Sequence, residues 1–263
     1  MRTIGLTLVL AALAGGIASA AARSGVGRMV VTPATLTAAS TGNDLTFTYT
    51  ASRALNGQTI VDVPRGWSAP QQRNPSSAGY VELKRGTCGG STRISSIRAR
   101  RLTIATNCKR GRTYQLLYHK ATVPPIAADG YIFLTQTRAS GRKAKFRPLA
   151  RSDQPVVKVK GGLATGLDMT LTSVVTAGTP FNVTVRAVDP YSNNAFPYGG
   201  TVTLTSTDPV ATIPGPYAYQ PGDLAQHVFT GVVFHTPGTQ WITATDSNGL
   251  TKQSPPIMVN VSS

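Results

Sequence analysis

The sequence predicts an all-β protein made of two β-sandwich domains. Apolar and polar residues alternate with a period of two in both halves of the 263-residue chain, at 44–51, 114–121, 181–189 and 200–206. Turn-forming Gly, Pro, Asn and Asp residues separate such segments, which is the pattern of short antiparallel strands. After residue 20 no segment sustains the 3.6-residue period of an amphipathic helix, so we expect neither a Rossmann-like fold nor a barrel enzyme.

The chain begins with the features of a cleaved secretory signal. Arg2 precedes an apolar run at 4–17, and Ala18-Ser19-Ala20 has the small-x-small pattern of a signal-peptidase site. The alternative is an uncleaved amphipathic anchor. We predict a signal peptide at 1–20 and no later transmembrane segment. The mature chain is then secreted, or held at the cell surface or in the periplasm.

Two cysteines fit an oxidising compartment. Cys88 and Cys108 are the only cysteines in the chain. A bridge between them would close a loop of about twenty residues and contribute about 3 kcal/mol to stability. The alternative is a catalytic thiol, which needs a neighbouring base and a reducing environment. We therefore predict a disulfide.

Charge divides the chain into two units. Residues 21–160 contain 23 Lys and Arg against 5 Asp and Glu, whereas residues 161–263 contain 2 against 5. Gly161, Gly162 and Gly166 lie between the last strand-like segment of the first unit and the first of the second. We predict a basic β-sandwich domain at 21–160, a linker at 161–166 and a second domain at 167–263, each long enough to bury its own core.

Residues 163–261 resemble the bacterial immunoglobulin-like repeats of secreted and surface proteins. The matching segments are 177–180, 185–189, 200–202, 206–209, 211–214, 227–229, 236–239 and 242–246. The resemblance implies an immunoglobulin-like sandwich that serves as a spacer or adhesive module without catalytic activity. Residues 28–160 faintly resemble uncharacterised exported bacterial domains, on Val63-Pro64, Gly66-Trp67, the two cysteines and 128–133, and this likeness brings no function.

No catalytic or metal-binding constellation is predicted, and no cofactor. The three histidines lack metal-ligand spacing, and the mature chain has the single glutamate Glu82 among dispersed aspartates. Residues 189–194, Asp-Pro-Tyr-Ser-Asn-Asn, could hold calcium, but they also suit a type I turn in which Asn can adopt left-handed backbone. We expect the turn.

Trp67 follows a strand in a Pro-Arg-Gly-Trp turn. An exposed indole there would stack on a sugar ring. Alternatively, the side chain covers one end of a sandwich, and its N–H finds a carbonyl oxygen. We keep glycan stacking at Trp67 beside the core interpretation, because the sequence leaves both open.

Two groups of cations are candidates for binding a polyanion. Arg98, Arg100 and Arg101 are predicted in a turn before a strand that ends near Lys109–Arg112, so the two turns lie about 20–25 Å apart. Lys143, Lys145 and Arg147 alternate with Ala144 and Phe146. We predict a strand with three cations on one face and Phe146 in the core. Such a row either protects a strand edge from aggregation or binds an acidic polymer.

These observations predict a non-enzymatic exported protein with a structural or adhesive role. Its basic domain is expected to attach to an anionic envelope polymer or polysaccharide. Because aromatic residues do not alternate with the cations, apart from Phe146, nucleic acid is not the expected natural partner. The alternative is a carbohydrate-recognition module or an accessory domain of an extracellular polysaccharide-active system.

Overall fold

The computed structural model describes residues 24–141 and 143–262 as an all-β chain. The predicted signal peptide lies outside the described residues. Within those residues, no helix has the length and apolar character that a membrane span requires. The expected fold class is confirmed, because strands from both halves form stacked sheets around two hydrophobic cores.

The first half folds into three hydrogen-bonded sheets. Its strands are β1 (Arg28–Thr32), β2 (Thr35–Thr37), β3 (Asn43–Thr50), β4 (Leu55–Asp62), β5 (Tyr80–Lys84), β6 (Arg93–Arg98), β7 (Arg101–Cys108), β8 (Thr113–Ala121), β9 (Ala128–Ile132), β10 (Leu134–Ala139), β11 (Arg147–Pro148) and β12 (Val156–Lys160). A 3₁₀ helix, Arg151–Asp153, precedes β12. The strand orders are β1-β3-β8-β5, β11-β10-β4-β7-β6 and β2-β12-β9.

The core of the first half follows from the period-two pattern. In β3, Leu45, Phe47 and Tyr49 are buried while the intervening residues face outward. Strand β8 aligns Tyr114 with Tyr49, and their rings stack with centroids 4.9 Å apart. Burial of each large apolar side chain contributes about 1.5–3 kcal/mol, which favours one register and disfavours a one-residue slip.

The second half forms an immunoglobulin-like sandwich. Its strands are β13 (Gly166–Thr170), β14 (Val174–Thr176), β15 (Phe181–Val188), β16 (Thr201–Ser206), β17 (Tyr217–Ala218), β18 (Gln226–Val232), β19 (Gly238–Gln240), β20 (Ile242–Asp246), β21 (Thr251–Gln253) and β22 (Ile257–Asn260). A 3₁₀ helix, Pro221–Asp223, precedes β18. The strand orders are β13-β15-β18, β14-β22-β19 and β17-β16-β20-β21.

Both halves divide their opening segment between two sheets in the same way. Strand β1 pairs antiparallel with β3, and β2 pairs parallel with β12. In the second half, β13 pairs antiparallel with β15, and β14 pairs parallel with β22. The parallel pair joins the start of each sandwich to its last strand, so each half encloses its own core.

Close contacts join the halves where the chain crosses between them. The Asn193 side chain accepts a hydrogen bond from Ala127 N at 2.8 Å and donates one to Pro125 O at 2.8 Å. Residue 161 must be glycine, because a Cβ there would lie 2.1 Å from Asn194 O. The expected turn at 189–194 is present, although Ser192 rather than an asparagine has the left-handed φ of 63°.

Candidate anion-binding end of the first sandwich

The strands of the first sandwich give it two distinct ends. Pairing of Leu55 with Cys108 and of Thr50 with Thr113 marks one end, which we call the far end. The far end carries the loops 51–54, 85–92 and 109–112 and the connection between β10 and β11, of which residues 140, 141 and 143–146 are described. Pairing of Asp62 with Arg101 marks the other end, the junction end, where β12 leads into the second half. The junction end carries the loops 63–79, 99–100 and 122–127.

Backbone hydrogen bonds and the disulfide hold the far-end loops together. Ala51 N donates to Arg112 O at 3.0 Å, and Gly111 N donates to Ala51 O at 2.8 Å. Cys88 is bonded to Cys108 with their Cα atoms 4.5 Å apart, as the sequence predicts. The bridge attaches loop 85–92 beside the end of β7. Three loops that are distant in sequence therefore lie side by side.

Cations accumulate at the far end, where one nearby carboxylate, that of Asp153, lines a cavity beside Arg28. The far-end cations are Arg28, Arg53, Lys84, Arg85, Arg93, Lys109, Arg110, Arg112, Arg138, Lys143, Lys145 and Arg147. The four far-end loops contain no Asp or Glu. Within the described part of the chain, none of these cations is in an ion pair. The side-chain bonds that Arg85, Arg93 and Arg138 make go to neutral oxygens.

A groove of about 450 Å³ gathers several of these cations. Its charged lining residues are Arg53, Arg138, Lys143, Lys145 and Arg147. Like charges around one concave space repel each other and raise the local concentration of anions. The groove therefore has the electrostatics of an anion-binding site.

The predicted strand through the Lys143–Arg147 row is wrong, although the row itself is present. Lys143, Lys145 and Arg147 are exposed, and Ala144 is half-buried. The segment begins as a turn in which Ala144 N donates to Gly141 O, and only Arg147–Pro148 pairs with β10.

Phe146 does not enter the core as expected. Its ring lies under the guanidinium group of Arg138, with the Arg138 Cζ 4.5 Å from the ring centroid. The Arg138 Nε also donates to Gln58 Oε1 at 2.9 Å. A Cβ at position 57 would lie 2.0 Å from Arg138 O, so glycine there allows β4 and β10 to approach.

Sequence reasoning missed Arg53 and Arg138. Arg138 could have been found, because Thr135 and Thr137 alternate inward in β10 and leave Arg138 on the outer face. Its placement against Phe146 depends on a turn that local sequence does not predict. Arg53 reaches the groove only because β4 pairs with β10, which is a non-local contact.

The turn at Arg98–Arg101 does not belong to the candidate site. Arg100 is half-buried, and its Nε donates to the carbonyl oxygens of Val63 at 3.1 Å and Pro64 at 3.0 Å. Arg101 and Asp62 form a two-point ion pair at 2.7 and 2.9 Å, and this hydrogen bonding raises the pKa of Arg101. The expectation that Arg100 and Arg101 bind a polymer is therefore corrected. Arg98 is exposed, but it lies at the junction end.

Trp67 is part of the core and cannot stack on a glycan. It is 3% exposed, and its ring packs edge-on against Phe133 with centroids 5.0 Å apart. The glycan-stacking prediction is wrong because the Pro-Arg-Gly turn folds the indole inward. The expected hydrogen bond from its N–H is also wrong, since Nε1 has no partner in the described part of the chain.

The remaining polar clusters stabilise local structure. The Asp189 carboxylate accepts hydrogen bonds from the backbone N–H groups of Gly162, Tyr191 and Asn193, so local donors occupy both its oxygens. The His227 ring stacks on Tyr217 with centroids 3.4 Å apart. Across the described residues, no group of His, Cys, Asp and Glu has metal-binding geometry.

The chain matches no protein-family model and no curated protein. Among solved structures, it aligns with the adhesin InvE of Yersinia pseudotuberculosis at 11% identity and a TM-score of 0.32, covering 89% of this chain and 59% of that one. It aligns with a putative membrane-anchored protein from Corynebacterium diphtheriae at 15% identity and a TM-score of 0.30, covering 90% and 54%. The Escherichia coli adhesin FdeC gives 15% identity, a TM-score of 0.31 and coverage of 91% and 65%. The chain therefore spans less than two thirds of the length of each of these three proteins.

Proposed function

We propose that this is an exported, non-enzymatic structural or adhesive protein, and that its first half attaches to an anionic polymer of the cell envelope through the far end. One observation carries the proposal: the far-end loops gather many cations and contain no carboxylate. The second half, with 2 Lys and Arg against 5 Asp and Glu, serves as a spacer or adhesive module.

In the described residues some cations of the junction end are paired, whereas no cation of the far end is in an ion pair. At the junction end, Arg101 pairs with Asp62, Lys158 pairs with Asp129 at 2.6 Å, and the Lys160 Nζ lies 3.6 Å from the Phe196 ring centroid. At the far end the cations face solvent and one another. A repulsive cluster of this kind costs stability, and an anionic polymer relieves the repulsion by replacing its counterions.

Protection of strand edges explains only part of this charge. Lys84 lies on β5 and Arg93 on β6, and both strands are the last in their sheets. Cations on such edges deter pairing with other chains. The loops that carry Arg53 and Lys109–Arg112 have no free strand edge to protect, so these cations favour binding over edge protection.

A matched pair of triple variants tests the proposal on the exported chain. The first replaces Lys143, Lys145 and Arg147 with Ser at the far end. The second replaces the exposed Arg65, Arg73 and Arg98 with Ser at the junction end, and therefore removes the same charge. Binding to polyphosphate and heparin is measured between about 50 and 200 mM NaCl.

We expect the far-end variant to lower the slope of log affinity against log salt concentration by the equivalent of up to about three phosphate contacts. The junction-end variant should change this slope little. Equal effects of the two variants would mean that only net charge matters. If the unmodified chain ignores both polymers at the lowest salt, the far-end charge serves solubility and edge protection.

A further inference from the structure

The far-end groove contains one arginine whose position is already fixed. Arg138 is half-buried, its Nε donates to Gln58 Oε1, and its Cζ lies 4.5 Å from the centroid of the Phe146 ring. Among the described residues, its two terminal nitrogens have no hydrogen-bond partner. We infer that Arg138 is the specificity-determining residue of the groove, and that the groove accepts the phosphate groups of an anionic polymer. This inference rests on the proposed function.

Preorganisation distinguishes Arg138 from the other cations of the groove. An exposed lysine or arginine loses side-chain entropy when it binds a ligand, and this loss offsets much of the contact energy. Arg138 has already lost that freedom through its contacts with Gln58 and Phe146. Its planar fork of N–H donors can then form two parallel bonds to one oxyanion, a geometry that lysine lacks.

Arg138 also lines a second cavity beside the groove. This cavity, of about 560 Å³, is bordered by Gly57, Gln58, Ala105 and residues 139–141. Arg138 and Ala139 line both cavities. A polymer that occupies the two spaces at once can therefore bring repeated anionic groups to Arg138.

The arrangement of the groove favours phosphate over carboxylate. Its cations come from three separate segments: loop 51–54 with Arg53, strand β10 with Arg138, and the connection into β11 with Lys143, Lys145 and Arg147. A tetrahedral phosphate presents oxygens in several directions and can meet donors from more than one wall at once. A carboxylate has two coplanar oxygens, which donors on a single wall satisfy, so the other cations of the groove can bind it without Arg138.

Arg138→Lys tests the inference because it keeps the charge and removes the fork. The control is Arg65→Lys, an equally conservative change of an exposed arginine at the junction end. The exported chain is titrated with polyphosphate and with polygalacturonate of similar length, at several salt concentrations. We expect Arg138→Lys to weaken polyphosphate binding about tenfold, with an unchanged salt slope and a much smaller loss for polygalacturonate. The control should change neither affinity.

Several outcomes would overturn the inference. Equal losses for the two polymers would show that Arg138 only holds the Phe146 segment in place. No loss for either polymer would show that the groove recognises charge alone. In both cases the unmodified chain still binds, so the proposed function stands. If the unmodified chain binds neither polymer, the proposed function fails and the inference fails with it.

A second measurement does not depend on polymer binding. Inorganic pyrophosphate should raise the thermal midpoint of the unmodified chain above that in NaCl of equal ionic strength, because a ligand that binds only the folded state stabilises it. The Arg138→Lys variant should show a clearly smaller rise. Equal rises in the two proteins would overturn the role of Arg138, even if the variant is less stable at the outset.

Discussion

The guanidinium group of Arg100 donates a hydrogen bond to the main-chain carbonyl oxygen of Trp67. This bond ties the turn between β6 and β7 to the loop that carries the buried indole. The other cationic turn of the same strand, Lys109–Arg112, instead packs against the loop that carries Arg53. Residues 93–112 thus combine an internally bonded arginine at the junction end with solvent-facing cations at the far end.

Arg100→Ala should destabilise the first half by about 1–3 kcal/mol, because the carbonyl oxygens of Pro64 and Trp67 lose their shared donor. Urea unfolding of the full chain measures this change. Arg98→Ala at the same turn is the control and should stay within about 0.5 kcal/mol of the unmodified chain. Equal stability of the two variants would mean that water replaces the guanidinium group without loss.

Replacing Lys109, Arg110 and Arg112 with Ser should flatten the salt dependence of polyphosphate binding. The effect should be about as large as that of the variant in which Ser replaces Lys143, Lys145 and Arg147. The reason is that both sets lie at the far end, and each removes up to about three contacts. Combining the two sets should give nearly additive losses. A full effect from one set and none from the other would restrict binding to part of the far end.

Local sequence predicts the strands well and the candidate site only in part. Alternation identified β3, β8 and β15, because burial of one face is a local period-two property. The same alternation at Lys143–Arg147 predicted a strand, yet a strand also needs a partner, and β10 offers one only from Arg147. Exposure still alternates in that segment, because Ala144 and Phe146 are half-buried while the three cations are exposed.

The rest of the candidate site depends on contacts between distant segments. The loops with Arg53 and Lys109–Arg112 meet because β3 and β8 pair in register, and this pairing cannot be read from either loop. The inward turn of Trp67 has the same origin, since the core that receives the indole includes Phe133, more than sixty positions later. The excess of cations in the first half was predicted, because composition can be counted from the sequence alone.

Cys88 and Cys108 of the exported protein should resist alkylation until a reductant is added, because their sulfur atoms are bonded to each other. Replacing both with Ser should lower stability by about 3 kcal/mol through the entropy of the opened loop. The measurements are thiol labelling and urea unfolding. Quantitative labelling without reductant would contradict the bridge.

Asp208→Asn should destabilise the second half by about 1–3 kcal/mol near neutral pH. Burial raises the pKa of Asp208, but hydrogen bonds from Thr236, His235 and Val210 outweigh it and lower the pKa to about 2. An amide in its place offers one acceptor oxygen instead of two. Unfolding is followed by fluorescence, because the backbone N–H of Trp241 donates to Thr207 Oγ1 and thereby places this tryptophan near Asp208.

The sign of the pH dependence follows from the lowered pKa of Asp208. Its ionised form is stabilised in the folded state, so this stabilisation is complete above the ordinary carboxyl pKa of about 4 and is lost as pH falls toward 2. The difference in the free energy of unfolding between the unmodified chain and Asp208→Asn should therefore decrease as pH falls across that range. A difference that stays constant down to pH 2 would show that Asp208→Asn destabilises the fold through altered packing and not through the lost charge.

Residues 163–263 should fold alone, because their core is separate from that of the first half. Val183, Val185, Val202, Phe234 and Ile242 are buried among residues of the second half only. Expressed by itself, this segment should unfold cooperatively and give a β-type circular dichroism spectrum.

The junction contacts should determine how much stability the isolated segment loses. Separation removes the two hydrogen bonds of Asn193 with Pro125 and Ala127, the two bonds of Gly162 with Asp189 and Phe196, and the contact of Lys160 with Phe196. At about 0.5–1.5 kcal/mol for each of these four hydrogen bonds, we expect the segment to be about 2–6 kcal/mol less stable than the second half within the full chain. Asn193→Ala should reproduce about half of this loss in the full chain and have a smaller effect in the segment, where only the side-chain bond to Asp189 remains. A segment that stays disordered would show that the boundary between the two halves lies elsewhere. An equally large effect of Asn193→Ala in both proteins would show that this side chain stabilises the Asp189 turn and not the junction.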